Sequence, residues 1–311
     1  TKLNSEEVDE VIMGCVLPAG LGQAPARQVS IGAGIPVTVG ATTINKMCGS
    51  GMKSIMMGYD SIASETNKIV IAGGIESMSN APYILAKVRK GLRMGHDLIK
   101  DHMFLDGLED AYEEGKLMGS FAEDTAEYYQ FSREQQDNFS IESLQKAKKA
   151  NEEGAFNEEI VEVSVLSTKG TKIINKDEQP FKANIEKIPN LKPAFRKNGT
   201  VTAANSSSIS DGASTVILMK ESTADKKGIK PLARIVAHAT NSHEPNWFTT
   251  APIGAISKVL EKSGWKKTDV DLFEVNEAFA VVPMAVMKEL SIAKDILNIN
   301  GGACALGHPV G

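Results

Sequence analysis

The chain has 311 residues, 42% of them hydrophobic and 23% charged, which suffices for two or three packed domains around a large core. Its net charge of −5 does not fit the clustered basic footprint of a general nucleic-acid binder. No stretch approaches the ~18 uninterrupted apolar residues of a spanning helix, so neither nucleic acid nor a membrane is an expected partner. The thiols Cys15, Cys48 and Cys304 form no Cys-x-x-Cys pair, which argues against a disulfide framework or a structural zinc site and for reduced cysteines in a cytoplasmic setting. An organelle-targeting segment would lie upstream of Thr1, where there is no initiator Met.

VDEVIMG (8–14) reads as a short buried strand, APARQVSIGAGIP (24–36) as a helix closed by Gly34 and Pro36, and VTVGATTI (37–44) as the next strand. Beyond Gly51, the residues Met52, Ile55, Met56, Tyr59 and Ile62 follow the spacing of one helix face, and KIVIAGG (68–74) returns as a strand. Such alternation predicts a largely parallel sheet covered by helices. From about residue 80 the chain is charged and Gly-punctuated, a long surface excursion. Ser132-x-x-Gln135 is a capping-box signal for a helix over 133–152, and EIVEVSVL (159–166) alternates like a half-buried strand. Residues 200–220 lead from a small-residue loop into strand texture. The alternation then resumes with PLARIVAHA (231–239), a helix over 252–263 stopped by Gly264, a strand over 270–275, a helix over 277–290 and a strand over 296–300.

A faint repeat links the two ends. VDEVIMG precedes TTINKMCGSG, and VDLFEVN precedes ILNINGGACALGHPVG, so each half runs from a Val-Asp strand to an Ile-Asn strand end and a Gly-rich turn. Stacked duplicated units would bring the two turns together, one with Cys48 and the other with His308. A thiol reacts as thiolate, which a helix N-terminus favours, and Gly49 and Gly51 suit a tight turn with amides left to hold an oxyanion. Taken alone, Cys48 reads equally as a buried inert thiol. His308 stands on a loop between Gly307 and Pro309, where a base beside a nucleophilic thiol would be needed, or where a structural histidine would hydrogen-bond. Asn276 and Glu277 lie at the end of the VDLFEV strand, where α/β folds place ligand-binding groups, although Asn is also a favoured helix N-cap.

NKMCGSGMK, GGIESMSNAPY, TVTAANSSSISDGAS, VNEAFA and NGGACALGHPVG stand in the order and spacing of the thiolase family, and the resemblance runs from about residue 3 to 311. The chain most resembles the branch that makes and cleaves acetoacetyl-CoA. That resemblance implies an α/β fold of five layers, α-β-α-β-α, in two similar halves with an inserted loop domain. The N-terminal half would span 1–79 and be completed by about 204–229, the loop domain 80–203, and the C-terminal half 230–311. Cys48 would be the acylated nucleophile, with His308 taking its proton and binding the thioester oxygen, and Asn276 holding a water in that oxyanion hole. The Cys48 amide would contribute to a second hole, and Ser207 would contact the pantetheine arm of CoA. Condensation of two acetyl-CoA, or thiolysis in reverse, stores one acyl group covalently and needs no metal or redox cofactor. Acetyl-CoA, acetoacetyl-CoA and CoA would be the small-molecule partners, and KVRKGLRMGH resembles the loop that joins dimers into a homotetramer.

Some positions depart from the family pattern. Its second catalytic cysteine lies in a Cys-x-Gly turn, which none of the three cysteines here matches. Such a turn is expected after Gly311, as a first strand and helix are expected before Thr1, and without them turnover would be lost. Leu117-Met118 stand where relatives often carry His-Met in the acyl pocket, which leaves a broader 3-ketoacyl-CoA thiolase open. A decarboxylating ketoacyl synthase would place a second His where Asn276 stands. A non-catalytic form that binds CoA or assembles with partner subunits is the remaining reading.

Overall fold

The computed structural model describes residues 3–168 and 170–311, so the first two residues of the expected N-terminal half lie outside the described residues. The chain divides into two compact units: Thr1–Lys116 with Ile209–His238 and Pro309–Gly311, and Leu117–Ser208 with Ala239–His308. Among the described residues no helix is long and apolar enough to cross a membrane.

The first unit is built on strand β1 (Glu10–Gly14), which pairs in parallel with β2 (Gly40–Ile44) on one side and β3 (Ile69–Ser77) on the other. Asp9 starts β3 by accepting the N–H groups of Lys68 and Ile69. The two faces of β1 are distinct because side chains alternate along a strand. Val11 and Met13 pack with Ala26 of helix α1 (Pro25–Gly32), whereas Ile12 packs with Val70, Ala72 and Ile62 of helix α2 (Ser50–Ala63). Further on, β4 (Tyr83–Ile84) pairs with β5 (Lys100–Asp101), and the basic segment between them is irregular apart from one 3-10 turn at Val88–Lys90.

In the second unit, helix α3 (Met118–Tyr129) precedes α4 (Arg133–Glu152), which starts on the expected capping box: Ser132 Oγ accepts the Gln135 N–H and the Gln135 side chain accepts the Ser132 N–H. The excursion read from residue 80 therefore hides a helix. Its periodicity is masked because polar Glu123 and Thr125 are buried with Phe121, Ala122 and Ala126; Glu123 accepts the backbone N–H groups of Thr200 and Val201. EIVEVSVL was expected half-buried, yet among the described residues β6 (Val163–Ser167) pairs only with β7 (Gly170–Ile174), and Val163, Val165 and Leu166 are exposed. A short helix, α5 (Gln179–Lys182), follows.

Returning to the first unit, β8 (Asp211–Met219) runs antiparallel to β3 and gives the sheet order β2-β1-β3-β8. Helix α6 (Glu221–Lys227) then ends on left-handed Gly228. PLARIVAHA does not form a strand: it has no ladder partner among the described residues, and Leu232 projects fully into solvent.

Back in the second unit, α7 (Ala251–Ser263) ends on left-handed Gly264, as expected. The strands expected over 270–275 and 296–300 shrink to one parallel bridge, Phe273 to Leu297. The Phe273 N–H reaches Ile296 O and the Asn298 N–H reaches Phe273 O, after which Asn298 turns left-handed at φ 46° and leaves the ladder. The helix expected from residue 277 starts four residues later, as α8 (Val281–Leu290), because 278–280 are engaged elsewhere: the Ser207 N–H donates to Ala278 O, and the Ala280 N–H to Asn205 O. A last single turn, α9 (Ala303–Leu306), leads through Gly307 to His308. Phe273, Val275, Phe279, Val281, Val286 and Leu297 centre this unit's core.

Candidate active site

Cys48 ends the loop that leads from β2 into α2. Two neighbours shape that loop: Asn45 Oδ1 accepts the Met47 N–H at 2.9 Å, and buried Ser50 accepts the Lys46 N–H at 2.8 Å while donating to Met47 O at 2.6 Å. The left-handed residue of the turn is Met47, at φ 49°, and not a glycine as expected. Gly49 sits at φ −98°, which any residue adopts, and the close approach of α2 to β3 rests on Gly74, where a Cβ would fall 3.2 Å from the Gly51 Cα. Ser54 fastens the helix there by donating to Gly73 O at 2.7 Å. Cys48 is solvent-exposed as a residue and stands just before the helix N-cap, Gly49. The expected lowering of its thiol pKa is not found: desolvation pushes the thiol above its ordinary value and outweighs the pull of its own backbone N–H. The resting sulfur is a neutral thiol that needs a base to react.

In the second unit, Asn276 Nδ2 lies 3.2 Å from His308 Nε2. An amide nitrogen only donates, so Nε2 is the acceptor and the ring proton sits on Nδ1. Burial lowers the His308 pKa to about 4, which keeps the ring neutral and Nε2 unprotonated near neutral pH. The His308 backbone is held by its own N–H, which donates to Ser208 O at 3.1 Å. The same strand-like segment pairs Ser206 with Phe279 and Ser207 with Ala278, so Ser207, Asn276 and His308 are brought to one end of this unit. Asn276 is exposed and is not the N-cap of α8, which is Ala280; the capping role weighed for it is absent.

Beneath the pair lies Glu277, fully buried. Its Oε2 accepts from the Ser143 hydroxyl at 2.7 Å and the Cys304 N–H at 3.1 Å, and its Oε1 from Asn298 Nδ2 at 2.8 Å. Burial raises its pKa, while the hydrogen bonds from Ser143, Asn298 and Cys304 pull the other way. The Cys304 thiol stands well above its ordinary pKa through burial and the neighbouring Glu277 charge, and donates to Glu277 O.

A model of the thiolase N-terminal domain matches residues 1–222, and one of the thiolase C-terminal domain matches residues 229–311. The chain belongs to the thiolase family. The thiolase is 50% identical over 311 residues to a Dictyostelium discoideum protein described as a probable acetyl-CoA acetyltransferase, spanning 99% of this chain and 75% of that one. It is 49% identical to acetyl-CoA acetyltransferase 2 of Arabidopsis thaliana, over 98% of this chain and 76% of the relative. The crystal structure of Acat5 thiolase from Ascaris suum in complex with coenzyme A superposes with a TM-score of 0.94 at 43% identity, covering 100% of this chain and 79% of that one. The fold is thus that of the thiolases, and the chain is an acyltransferase of the thiolase type.

The remaining residues singled out in the thiolase sequence are also placed. Leu117 immediately precedes α3, and Met118 opens it with its side chain packed against the core of the second unit. Sequence reading did not reach Ser143 or Asn298, which hold Glu277. Their signal is a polar residue inside an apolar pattern: Ser143 lies among Phe139, Leu144 and Ala147 on the buried stripe of α4, and Asn298 directly follows buried Leu297.

Proposed function

We propose that this thiolase transfers an acetyl group between CoA thioesters through an acetyl-Cys48 intermediate. The observation that carries the reading is the Asn276–His308 pair, in which an amide marks Nε2 of a neutral imidazole as its unprotonated atom. As the sulfur attacks the thioester carbonyl, the Asn276 N–H leaves Nε2 for the thioester oxygen, the freed Nε2 lone pair takes the Cys48 proton, and that proton then passes to the departing CoA thiolate, so the acyl group moves with no net charge change. Asn276 and the imidazolium formed in that step are the polar groups available to the oxygen as charge develops on it. The neutral resting thiol suits this order of events, because base and nucleophile are needed in the same step.

The names of the relatives favour acetyl-CoA as substrate, and acetoacetyl-CoA is the product of its condensation in this proposal, with Ser207 against the pantetheine arm and Leu117 and Met118 near the acyl chain; the CoA-bound Ascaris structure supports CoA as ligand. The chemistry asks for no cofactor besides the thioester itself. The division into two halves and a loop domain over 80–203, assembly as a homotetramer and a cytoplasmic location belong to the same proposal. A ketoacyl synthase reading is disfavoured by the amide at position 276. Intact-mass analysis after incubation with acetyl-CoA, on this chain and on Cys48→Ala, tests the reading. An adduct of one acetyl group that disappears in the variant supports it. CoA binding without any adduct would replace it by the non-catalytic form.

A further inference from the structure

We propose that Glu277 is a positioning residue for acyl transfer: its carboxylate fixes the distance between Asn276 and His308 by holding both of their supports at once. The proposal rests on the acyl-transfer reading above. Asn276 is peptide-bonded to Glu277. His308 follows the single turn α9, whose start is tied to the same carboxylate, since the Cys304 N–H donates to Oε2 and the Gly302 N–H donates at 2.9 Å to Ser143 Oγ, which in turn donates to Oε2. Gly302 is suited to the task, because a Cβ there would fall 2.4 Å from the Glu277 carboxyl carbon. On its other side, Oε1 is held by Asn298 Nδ2. The Asn298 side chain also accepts the Val275 N–H at 2.8 Å and donates to Val275 O at 2.9 Å, so it continues the ladder that the backbone has left.

Glu277 does not itself meet substrate. It is fully buried, and the cavity beside it, lined by Ser143, Lys146, Leu297 and Asn298, measures ≈ 10 Å³, at the lower limit for a single water. Every group that reaches the carboxylate oxygens here is a donor, so the site is specific for a carboxylate. A glutamine could not satisfy it. With its NH2 toward Asn298, two amide donors would face each other, and Asn298 cannot turn over without losing both bonds to Val275. With its NH2 toward Cys304, it would face a backbone N–H, which has no alternative orientation. Either way the isosteric variant displaces α9 or the strand end while keeping the volume of the core.

Glu277→Gln in the full chain tests this with two readouts, the rate of Cys48 acetylation against acetyl-CoA concentration and the Nε2 resonance of 15N-labelled His308 without ligand. Misplacement of the pair should lower the saturating rate by about 10²-fold, leave the half-saturating concentration within roughly twofold, and move the Nε2 resonance as the Asn276 hydrogen bond changes. A saturating rate close to that of the parent, or an unmoved resonance, would overturn the proposal. Should the parent itself fail to acetylate, the acyl-transfer reading falls and the His308 resonance alone decides the positioning role. Should Glu277→Gln fail to fold, Ser143→Ala replaces it, with a smaller fall in rate and a resonance shift in the same direction expected and their absence decisive against the role.

Discussion

The loops that carry Cys48 and His308 are held in opposite ways. The first is fastened mostly from within: Asn45 Oδ1 and Ser50 Oγ bind groups at most four residues away, and the one longer reach is a 3.5 Å bond from Asn45 Nδ2 to Val16 O. The second is fastened from afar, with Ser143 bound to Glu277 across 134 residues of chain and to Gly302 across 159. A locally closed turn forms wherever its few residues occur together, so the geometry around Cys48 is a property of a short sequence. The His308 turn exists only once α4, the end of the VDLFEV segment and the Asn298 turn have come together. Damage to the first loop should therefore stay local, and damage to the second should cost the fold of its unit.

The largest expected effect breaks the second loop at its centre. Asn298→Ala removes the partners of the Val275 N–H and C=O and one donor to Glu277, all in the interior, and should destabilise the protein by about 3–5 kcal/mol in urea unfolding. Asn45→Ala, the matching cut in the exposed Cys48 loop, should cost about 1 kcal/mol or less. Equal losses would remove the distinction between the two loops.

Acid should discriminate between them next. The His308 pKa falls from 6.5 to about 4 on folding, so between those values the unfolded chain binds more protons than the folded one. The stability that His308 contributes is complete above pH 6.5 and is lost as pH falls through the folded value, by at most about 3 kcal/mol given that the ring is half-buried. His308→Gln should flatten that slope in urea midpoints measured across the window. An unchanged slope would assign the acid sensitivity to other groups.

The same contrast explains what could be read from the sequence. The β1–β2–β3 alternation, α2 and the capping box of α4 are encoded by near neighbours, and each is found where the pattern places it. Asn276 and His308 stood out as residue types on loops, and the structure pairs them at 3.2 Å. Glu277 could be noticed only as a neighbour of Asn276, because its meaning lies in Ser143 and Asn298, and nothing local marks a serine on an apolar helix stripe as the clasp of a distant turn. α3 escaped for the same reason, its buried face being part polar to serve the 200–201 backbone. PLARIVAHA fails in the other direction: its composition suits a strand, but a strand is defined by its partner, and none pairs with it among the described residues.

Two smaller effects sharpen the picture of the first loop. Ser50→Ala removes a fully buried hydroxyl and leaves the part-buried Lys46 N–H without its acceptor, which should cost about 1 kcal/mol, with faster amide exchange confined to residues 46–50. Spread of that exchange along β1 and β3 would show the loop to be less self-contained than its hydrogen bonds imply. The smallest change is in the order of thiol labelling, which leaves stability untouched. Cys15 is buried beside Glu76 with its pKa pushed up to about 11, and Cys304 is higher than ordinary through burial and Glu277, whereas Cys48 is exposed and raised by desolvation alone. Iodoacetamide should reach Cys48 first, by access and not by an ionised sulfur, and its rate should keep climbing through the alkaline range as thiolate accumulates. A rate already flat at neutral pH would mean a thiolate at rest, and His308 would then have no proton to take from Cys48.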